Sequence, residues 1–219
     1  MTTSQQLIAP LIMRDQRIAL ILGDRVRWRA ASGYLFAPLE LPGGAREADE
    51  TPAHAVSRLA QHWLGCEADV FPSQHMYGVS SKHAIDRLTP TPDDEPLPLL
   101  KLERLAPIEA DSSAAYTEAS VMRRVVVRVY LAQLCGEPGP AAHTTGLLWL
   151  TPHVLRRVTR GMTLADVLAL EDQVSWQAAS GFPFTEDDRA CVLLYTPAEY
   201  GERHLLRVEA KYGALALWP

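Results

Sequence analysis

Short apolar runs separated by polar turns dominate the first forty residues of the chain. Residues 7–13 and 17–22 form two such runs, and the residues between them are polar. This spacing predicts a β-hairpin with a tight turn. A third apolar and aromatic run over residues 34–41 ends at a Pro-Gly-Gly turn, where strand pairing does not readily continue. We therefore expect a hairpin, a further strand and then a glycine turn.

A helical spacing follows this turn. Thr51 offers a side-chain oxygen for a helix N-cap, and Pro52 suits the first helical position, which needs no N–H group. Apolar residues then recur at steps of three and four, namely Val56, Leu59, Ala60, Trp63 and Leu64. Gly65 supplies the left-handed residue that commonly ends a helix. The pattern predicts a helix over residues 52–64.

Further strands and helices are expected in the rest of the chain. Three segments carry the aromatic and β-branched residues typical of strands: residues 70–79, 123–134 and 147–150. Thr151-Pro152 repeats the helix-start signal, and helices are also expected over about 163–170 and after Thr185. The last sixty residues are therefore predicted to be mainly helical. This order of elements favours an α/β or α+β fold, with a mixed sheet flanked by helices.

A segment rich in proline and acidic residues interrupts this order at about residues 86–120. It holds four prolines within residues 89–98 and ends in a small, polar and acidic stretch, so we predict long loops or a disordered insertion. The 219 residues suffice for one large core, and the sequence contains neither an internal repeat nor a clear linker. We predict a single domain over residues 1–219, with its core at about 5–170 and a C-terminal extension at about 171–219.

Composition and charge narrow the function classes. A hydrophobic content of 47% and a charged content of 21% are typical of a globular protein. The net charge of -5 gives no basic face for phosphate backbones, so we expect no DNA partner. The three cysteines are far apart and predict reduced thiols rather than a disulfide framework or zinc site. Since we find no signal peptide and no membrane-spanning run, we expect a soluble, cytoplasmic protein without membrane association.

One segment carries a recognisable motif. From Leu39 the sequence LELPGGAREADETPAHAVSRLAQHWLGC resembles the box that defines the Nudix hydrolases. Gly44, Glu50, Arg58 and Gly65 fall on fixed positions of that box, and the family's frequent Leu-Pro-Gly-Gly sequence matches residues 41–44. The resemblance extends more weakly over about residues 5–170. It implies a Nudix-like mixed β-sheet sandwich flanked by helices, here with a helical C-terminal extension.

The departures from the box concern the metal ligands. The three glutamates that hold a divalent metal in active members of the family fall here on Leu59, His62 and Trp63. Magnesium is a hard cation that prefers oxygen ligands, and it neutralises diphosphate charge while it positions water. Leucine and tryptophan cannot do this, and one imidazole without convergent carboxylates is a poor metal site. The sequence therefore predicts an impaired metal site.

The remaining charged residues of the box suggest structural roles. The resemblance implies that Glu50 and Arg58 brace the loop against the helix, although these two residues and Glu47 are also the candidate catalytic residues. Glu47 and Glu50 are weak candidates for metal binding. Glu40, Glu47, Asp49 and Glu67 could also gather around an unusual metal site, but acids that flank a surface loop are usually solvated, and we interpret them so. Acids outside the box, among them residues 93–95 and 186–188, are interpreted as helix caps and solubilising charge.

Leu59 and Trp63 lie four residues apart and therefore share one helix face. They would make one wall of the cleft apolar, and such a face needs a cover from the C-terminal segment, a second subunit or an apolar ligand. On this interpretation the candidate substrate-binding residues are Gly43, Gly44, Leu59, His62 and Trp63.

Three functions remain open from the sequence. The first is a catalytically impaired nucleotide-binding or interaction module without a cofactor. The second is a diverged pyrophosphohydrolase of nucleoside diphosphate derivatives that takes Mg²⁺ or Mn²⁺ on acids outside the usual positions. The third is a structural homodimer with Leu59 and Trp63 in the subunit contact.

Overall fold

The computed structural model describes residues 4–79, 84–107, 122–179, 185–195, 202–213 and 215. Within these residues the chain forms thirteen β-strands and five α-helices. The strands are β1 (Ser4–Arg14), β2 (Arg17–Leu22), β3 (Arg29–Ala31), β4 (Tyr34–Glu40), β5 (Gly44–Ala45), β6 (Ala68–Phe71), β7 (Met76–Val79), β8 (Ile85–Leu88), β9 (Leu100–Pro107), β10 (Met122–Leu134), β11 (Gly146–Leu150), β12 (Val174–Ala178) and β13 (Val192–Tyr195). The helices are α1 (Pro52–Leu64), α2 (Pro152–Val158), α3 (Leu164–Leu168), α4 (Glu186–Arg189) and α5 (Glu202–Tyr212).

The strands form one continuous mixed sheet whose two parts meet at β1. In the first part β1 pairs in parallel with β10, and β10 pairs antiparallel with β9 and β6. In the second part β2 pairs with β11, whose other edge carries β12. The end of β1 joins the parts, because Met13 and Arg14 pair with Ile18 and Arg17 of β2. The predicted α+β class, a mixed sheet flanked by helices, is confirmed.

The predicted N-terminal hairpin is present as β1 and β2. Asp15 and Gln16 form its turn with φ angles of 49° and 60°. Two consecutive left-handed residues are the geometry of a type I′ turn, which matches the right-handed twist of the flanking strands. The third predicted strand is also confirmed, as β4.

Helix α1 has the bounds that the sequence predicted. Thr51 Oγ1 accepts a hydrogen bond of 3.2 Å from the backbone N–H of His54 and so caps the helix, with Pro52 at its first position. Gly65 ends the helix in the left-handed conformation at φ 69°. Of the predicted apolar stripe, Val56, Leu59, Ala60 and Leu64 are buried, together with Ala55, whereas Trp63 is only partly buried.

The prediction of long loops over residues 86–120 was wrong in part, because β8 and β9 lie within or at the edge of this segment. Strand β9 pairs with β10 from Leu100 to Pro107, and charged residues alternate with leucines along its first half. The neighbouring prolines obscured this period of two. Residues 108–121 lie outside the described residues. The strand predicted over 70–79 is divided into β6 and β7.

The prediction of a mainly helical C-terminal extension was also wrong in part. Helices α3 and α4 begin after Thr163 and Thr185, each of which forms a capping box. However, β12 extends the sheet beyond β11, and β13 pairs in parallel with β4. These two short strands complete sheet edges and carry few alternating residues, so their sequence pattern is weak.

Two clusters of buried side chains form the core. The larger contains residues of both parts of the sheet together with α2, α3 and α5. The smaller lies under α1, where Val56, Leu59 and Leu64 pack with Ile8 and Tyr130 and with other residues of the sheet. Helix α1 is therefore anchored to the sheet along its whole apolar stripe. Among the described residues, no helix is both long and apolar enough to span a membrane.

Candidate functional site

The glycine turn before α1 is packed directly onto the helix. A Cβ atom on Gly44 would lie 2.7 Å from Leu59 Cδ2, which is closer than real Cβ atoms approach. Leu59 itself is only 3% exposed and belongs to the smaller core cluster. A side chain at position 44 would therefore have to displace the end of the buried Leu59 side chain, so the close packing of the turn on the helix favours glycine here.

Trp63, one helical turn after Leu59, also holds the glycine turn in place. Its indole Nε1 donates a hydrogen bond of 2.9 Å to the carbonyl oxygen of Gly43. The Trp63 ring also contacts the exposed His62 ring and His143, at centroid distances of 4.9 Å in both cases. Burial and the nearby His143 lower the pKa of His62. The three rings thus form a cluster at the end of α1 in which Trp63 is partly buried while His62 and His143 are exposed.

Glu50 and Arg58 form a two-pronged ion pair between the loop and the helix. Arg58 Nε donates to Glu50 Oε1 at 2.7 Å, and Arg58 Nη2 donates to Glu50 Oε2 at 2.8 Å. The backbone N–H of Glu47 donates to the same Glu50 Oε2, and Arg58 Nη2 also donates to the carbonyl of Ala45. The hydrogen bonds from Arg58 lower the pKa of Glu50. These contacts confirm the predicted bracing of the loop.

The other acids near the box do not converge on one point. Glu40 is buried and paired with Arg27, whose Nη1 donates to Glu40 Oε2 at 3.0 Å, so its interpretation as a solvated acid was wrong. Glu47 is exposed and lies 3.5 Å from Arg58 Nε. Asp49 is also exposed. Within the part of the chain that the structure describes, no group of three or more His, Cys, Asp or Glu side chains is placed to hold a metal ion.

The candidate ligand-binding residues are thus brought together, but with different roles. Leu59 was predicted to line an apolar cleft wall, and this was wrong because the Gly44 turn and the core cover its side chain. For the same reason Leu59 cannot contribute to a subunit contact. Gly43 and Trp63 bind each other through the indole hydrogen bond. His62 is exposed beside them and accessible to solvent.

A cavity of about 310 Å³ opens beside the loop that joins β5 to α1, which we call the box loop. It is lined by the start of β1 and by the loop after β5, namely residues 4–6 and 46–49. Arg46 connects the loop to β1. Its Nε donates to the carbonyl of Glu50 at 2.6 Å, and its Nη1 donates to Gln6 Oε1 at 2.8 Å. The loop thereby carries a guanidinium group into the cavity wall.

Sequence reasoning missed the polar residues behind this cavity. Arg128 is 8% exposed in the middle of β10, and its Nη1 donates to Gln6 Oε1 at 3.4 Å. Asp94 is buried nearby and accepts hydrogen bonds from Lys101 Nζ at 2.7 Å and from Thr91. Burial favours the neutral form of Asp94, but these hydrogen bonds outweigh it and lower its pKa to about 2.

One signal in the sequence could have revealed part of this polar group. Arg128 interrupts a run of valines, and a charged residue at a buried strand position needs partners. Asp94 was interpreted as a cap, and it does cap a short 3₁₀ helix after Thr91. Its second role, as the buried partner of Lys101, depends on strand β9, which the sequence reasoning did not predict.

Comparison with known proteins gives structural neighbours only. No family model and no curated protein matches this chain. A hydrolase of the NUDIX family from Clostridium perfringens is similar with a TM-score of 0.39 and 15% identity, over 70% of this chain and 85% of that chain. The E. coli ORF135 protein is similar with a TM-score of 0.38 and 18% identity, over 71% of this chain and 79% of that chain.

A third similar structure covers more of the chain. An ADP-ribose pyrophosphatase from Streptococcus suis has a TM-score of 0.37 and 11% identity, over 96% of this chain and 93% of that chain. At such TM-scores and identities, none of these similarities supports a conclusion about activity or ligand. The Nudix-like interpretation therefore depends on the box residues and on the contacts they make.

Proposed function

We propose that this chain binds a nucleotide-type, phosphorylated ligand beside the box loop and does not hydrolyse it with a metal ion. The packing of the box helix is the observation that supports this most strongly. Leu59 is buried beneath Gly44, and Trp63 is hydrogen-bonded to Gly43. Two of the three positions where the resemblance implies metal-binding carboxylates therefore hold the glycine turn against the helix.

The remaining box acids do not replace those carboxylates. Both oxygens of Glu50 accept hydrogen bonds from Arg58, and the hydrogen bonds satisfy the charge within the protein. Glu47 is exposed and close to Arg58. A divalent cation needs several convergent oxygen ligands, and these two acids do not offer them.

The cavity next to the loop supports the binding part of the proposal. Its volume of about 310 Å³ lies at the lower end of the range for small-molecule sites. Arg46, whose Nη1 donates to Gln6 Oε1, brings a guanidinium group into its wall, and a guanidinium group suits phosphate oxygens with no requirement for a metal ion. We propose that this function is cytoplasmic, since the three cysteines are free thiols.

The diverged-hydrolase alternative draws no support from the acids it would use. Glu40 is engaged with Arg27, Glu50 is engaged with Arg58, and Asp49 is exposed on the cavity rim. The homodimer alternative requires Leu59 in the subunit contact, but Leu59 is buried within the chain.

The proposal is tested by two measurements on the same protein. The first is release of phosphate or nucleoside monophosphate from nucleoside triphosphates, dinucleoside polyphosphates and nucleotide sugars, with Mg²⁺ and then Mn²⁺. The second is the melting temperature with each nucleotide in the presence of a chelator. We expect no turnover and a raised melting temperature, because a ligand that binds only the folded state stabilises it.

Turnover above background that a chelator abolishes would overturn the proposal. The variant Glu47→Gln then tests whether Glu47 takes part in that turnover, because Glu47 is exposed and its substitution leaves the Glu50 to Arg58 ion pair intact. Absence of both turnover and a thermal shift would equally overturn it, in favour of an interaction or structural role.

A further inference from the structure

Two histidine rings from distant parts of the chain lie together at the C-terminal end of α1. The ring centroids of His62 and His143 are 4.1 Å apart, and the ring planes are inclined by 32°. Trp63 contacts both rings, at a centroid distance of 4.9 Å in each case. Both imidazoles are exposed, whereas Trp63 is partly buried and hydrogen-bonded to Gly43. The two histidines are therefore open to solvent on a fixed aromatic support.

The loop between β10 and β11 holds His143 in this position. The backbone N–H groups of Gly139 and Ala141 donate to the last two carbonyls of α1, at 2.9 Å and 3.3 Å. Such carbonyls have no partner within their own helix, so the loop caps the helix end. Beyond His143, the hydroxyl of the buried Thr145 donates to the carbonyl of Gly23 at 2.7 Å. The loop is thus anchored on both sides of the histidine.

The separation of the two rings is close to that of a pair sharing one metal ion. Two imidazoles that bind an ion at about 2.1 Å, with the angles of a tetrahedral or square-planar site, have centroids about 4.5–5 Å apart. The observed 4.1 Å is short of this by about 1 Å at most. The rings now lie nearly face to face, and exposed side chains such as His62 and His143 rotate readily enough to turn their nitrogens to one point.

The chemistry of this pair suits a late transition metal and not magnesium. Neutral imidazole is a common ligand of Zn²⁺, Ni²⁺ and Cu²⁺, whereas magnesium requires oxygen ligands. Burial and the neighbouring His143 lower the pKa of His62, which favours its neutral form at pH 7. The positive charge of Arg58 also acts on His62, but Glu50 pairs with Arg58 at 2.7 Å and offsets that charge.

We propose that His62 and His143 together bind a divalent late transition-metal ion such as Zn²⁺. Both ligands are nitrogen atoms, and His143 lies outside the box, so this site differs from the carboxylate site that the resemblance implies. Among the described residues no third His, Cys, Asp or Glu side chain joins the pair, so water completes the coordination and the ion is exchangeable. Neither histidine lines the cavity beside the box loop, and the inference does not depend on the proposed function.

The test is titration calorimetry of Zn²⁺ into untagged protein that carries Cys135→Ser, since an exposed thiol is itself a zinc ligand. We expect one Zn²⁺ per chain and no binding of Mg²⁺. His62→Gln and His143→Gln should each weaken Zn²⁺ binding at least about tenfold, because each removes one of two ligands.

Trp63 provides a second readout at the same place. Ni²⁺ is paramagnetic and should quench the fluorescence of the adjoining Trp63 ring. Trp63→Phe should remove this part of the quenching, and so should His62→Gln and His143→Gln.

His54→Gln is the matched control. His54 is an exposed histidine in the first turn of the same helix, eight residues before His62 and therefore roughly 12 Å away along the axis. Its substitution should leave the Zn²⁺ affinity unchanged. Melting curves in a chelator check that each variant is folded before metal is added.

Every outcome bears on the inference. Selective loss of Zn²⁺ affinity in both His62→Gln and His143→Gln supports it. An unchanged affinity in either of these variants overturns it, because a shared ion needs both ligands. Equal weakening in His54→Gln overturns it in favour of nonspecific binding to surface histidines, and absence of Zn²⁺ binding overturns it outright. No nucleotide is present, so the result is independent of the nucleotide binding and turnover tested above.

Discussion

Substitution of Leu59 by glutamate tests whether the box helix can present a metal-binding carboxylate in this fold. In the Nudix box the resemblance places such a glutamate at this position. Here the side chain is 3% exposed, lies beneath Gly44 and packs in the core cluster under α1. We therefore expect Leu59→Glu to destabilise the folded protein strongly at neutral pH rather than to create a metal site.

The expected loss of stability in Leu59→Glu is the sum of two free-energy costs. Replacing a buried leucine by a neutral polar side chain costs about 2–3 kcal/mol in lost apolar burial and unsatisfied polarity. Keeping the carboxyl protonated at pH 7 costs about 4 kcal/mol more, because the unfolded chain ionises it with a pKa of about 4.3. A total of about 6 kcal/mol is a large part of the stability of a typical domain, which is about 5–15 kcal/mol.

The assay compares Leu59→Glu with Leu59→Gln by urea unfolding. Burial raises the folded-state pKa of the new carboxyl, so the glutamate variant is relatively stable below about pH 4.3 and loses stability as the pH rises. We expect the two variants to differ by about 4 kcal/mol at pH 7 and to converge near pH 4. Equal stability at pH 7, or stabilisation of Leu59→Glu by added magnesium, would refute the reasoning.

Three further predictions concern contacts that hold the site together. Trp63→Phe removes the indole N–H bond to Gly43 and should lower the free energy of unfolding by about 1 kcal/mol in urea; an unchanged value would show that the bond contributes nothing. Glu50→Gln should cost about 1–2 kcal/mol at pH 7, allowing for the partly exposed Arg58. The pKa of Glu50 is lowered from 4.5, so its contribution to the free energy of unfolding is present above that pH and is lost as the pH falls through the pKa of the folded state. Wild type and variant should therefore converge in acid. A constant difference down to pH 3 would contradict this. Asp94→Asn should lower the free energy of unfolding by at least about 2 kcal/mol at pH 7, which corresponds to a pKa lowered from 3.8 to about 2. This contribution should be lost as the pH falls from about 3.8 through about 2. If chemical denaturation gives the same stability for Asp94→Asn and wild type at pH 7, the pair with Lys101 is not stabilising.

Local signals in the sequence were sufficient to predict the elements around the box. Thr51, Pro52 and Gly65 define α1 through capping and left-handed geometry, which depend on neighbouring residues alone. The Glu50 to Arg58 contact could also be predicted, because the family resemblance fixes both positions. These features need no knowledge of distant parts of the chain.

The cavity could not be predicted in this way, because its residues come together only through long-range pairing. Gln6 meets Arg128 because β1 pairs in parallel with β10, 122 residues later in the chain. Asp94 reaches this group only because β9 lies beside β10 and carries Lys101. The sequence shows charged residues in apolar strands, but not which strands are neighbours.

The burial of Leu59 and the engagement of Glu50 have one structural consequence. In a metal-dependent box the helix must leave its acidic face open to the cation, so the glycine turn cannot pack on that face. Here the turn packs on Leu59 and accepts a hydrogen bond from Trp63, so the helix is anchored through two positions where the resemblance implies metal-binding carboxylates. Introducing one glutamate there therefore removes a packing contact before it adds a ligand. Metal binding by carboxylates at this helix would require the turn, Leu59 and Trp63 to change together, whereas the proposed binding beside Arg46 needs no such change.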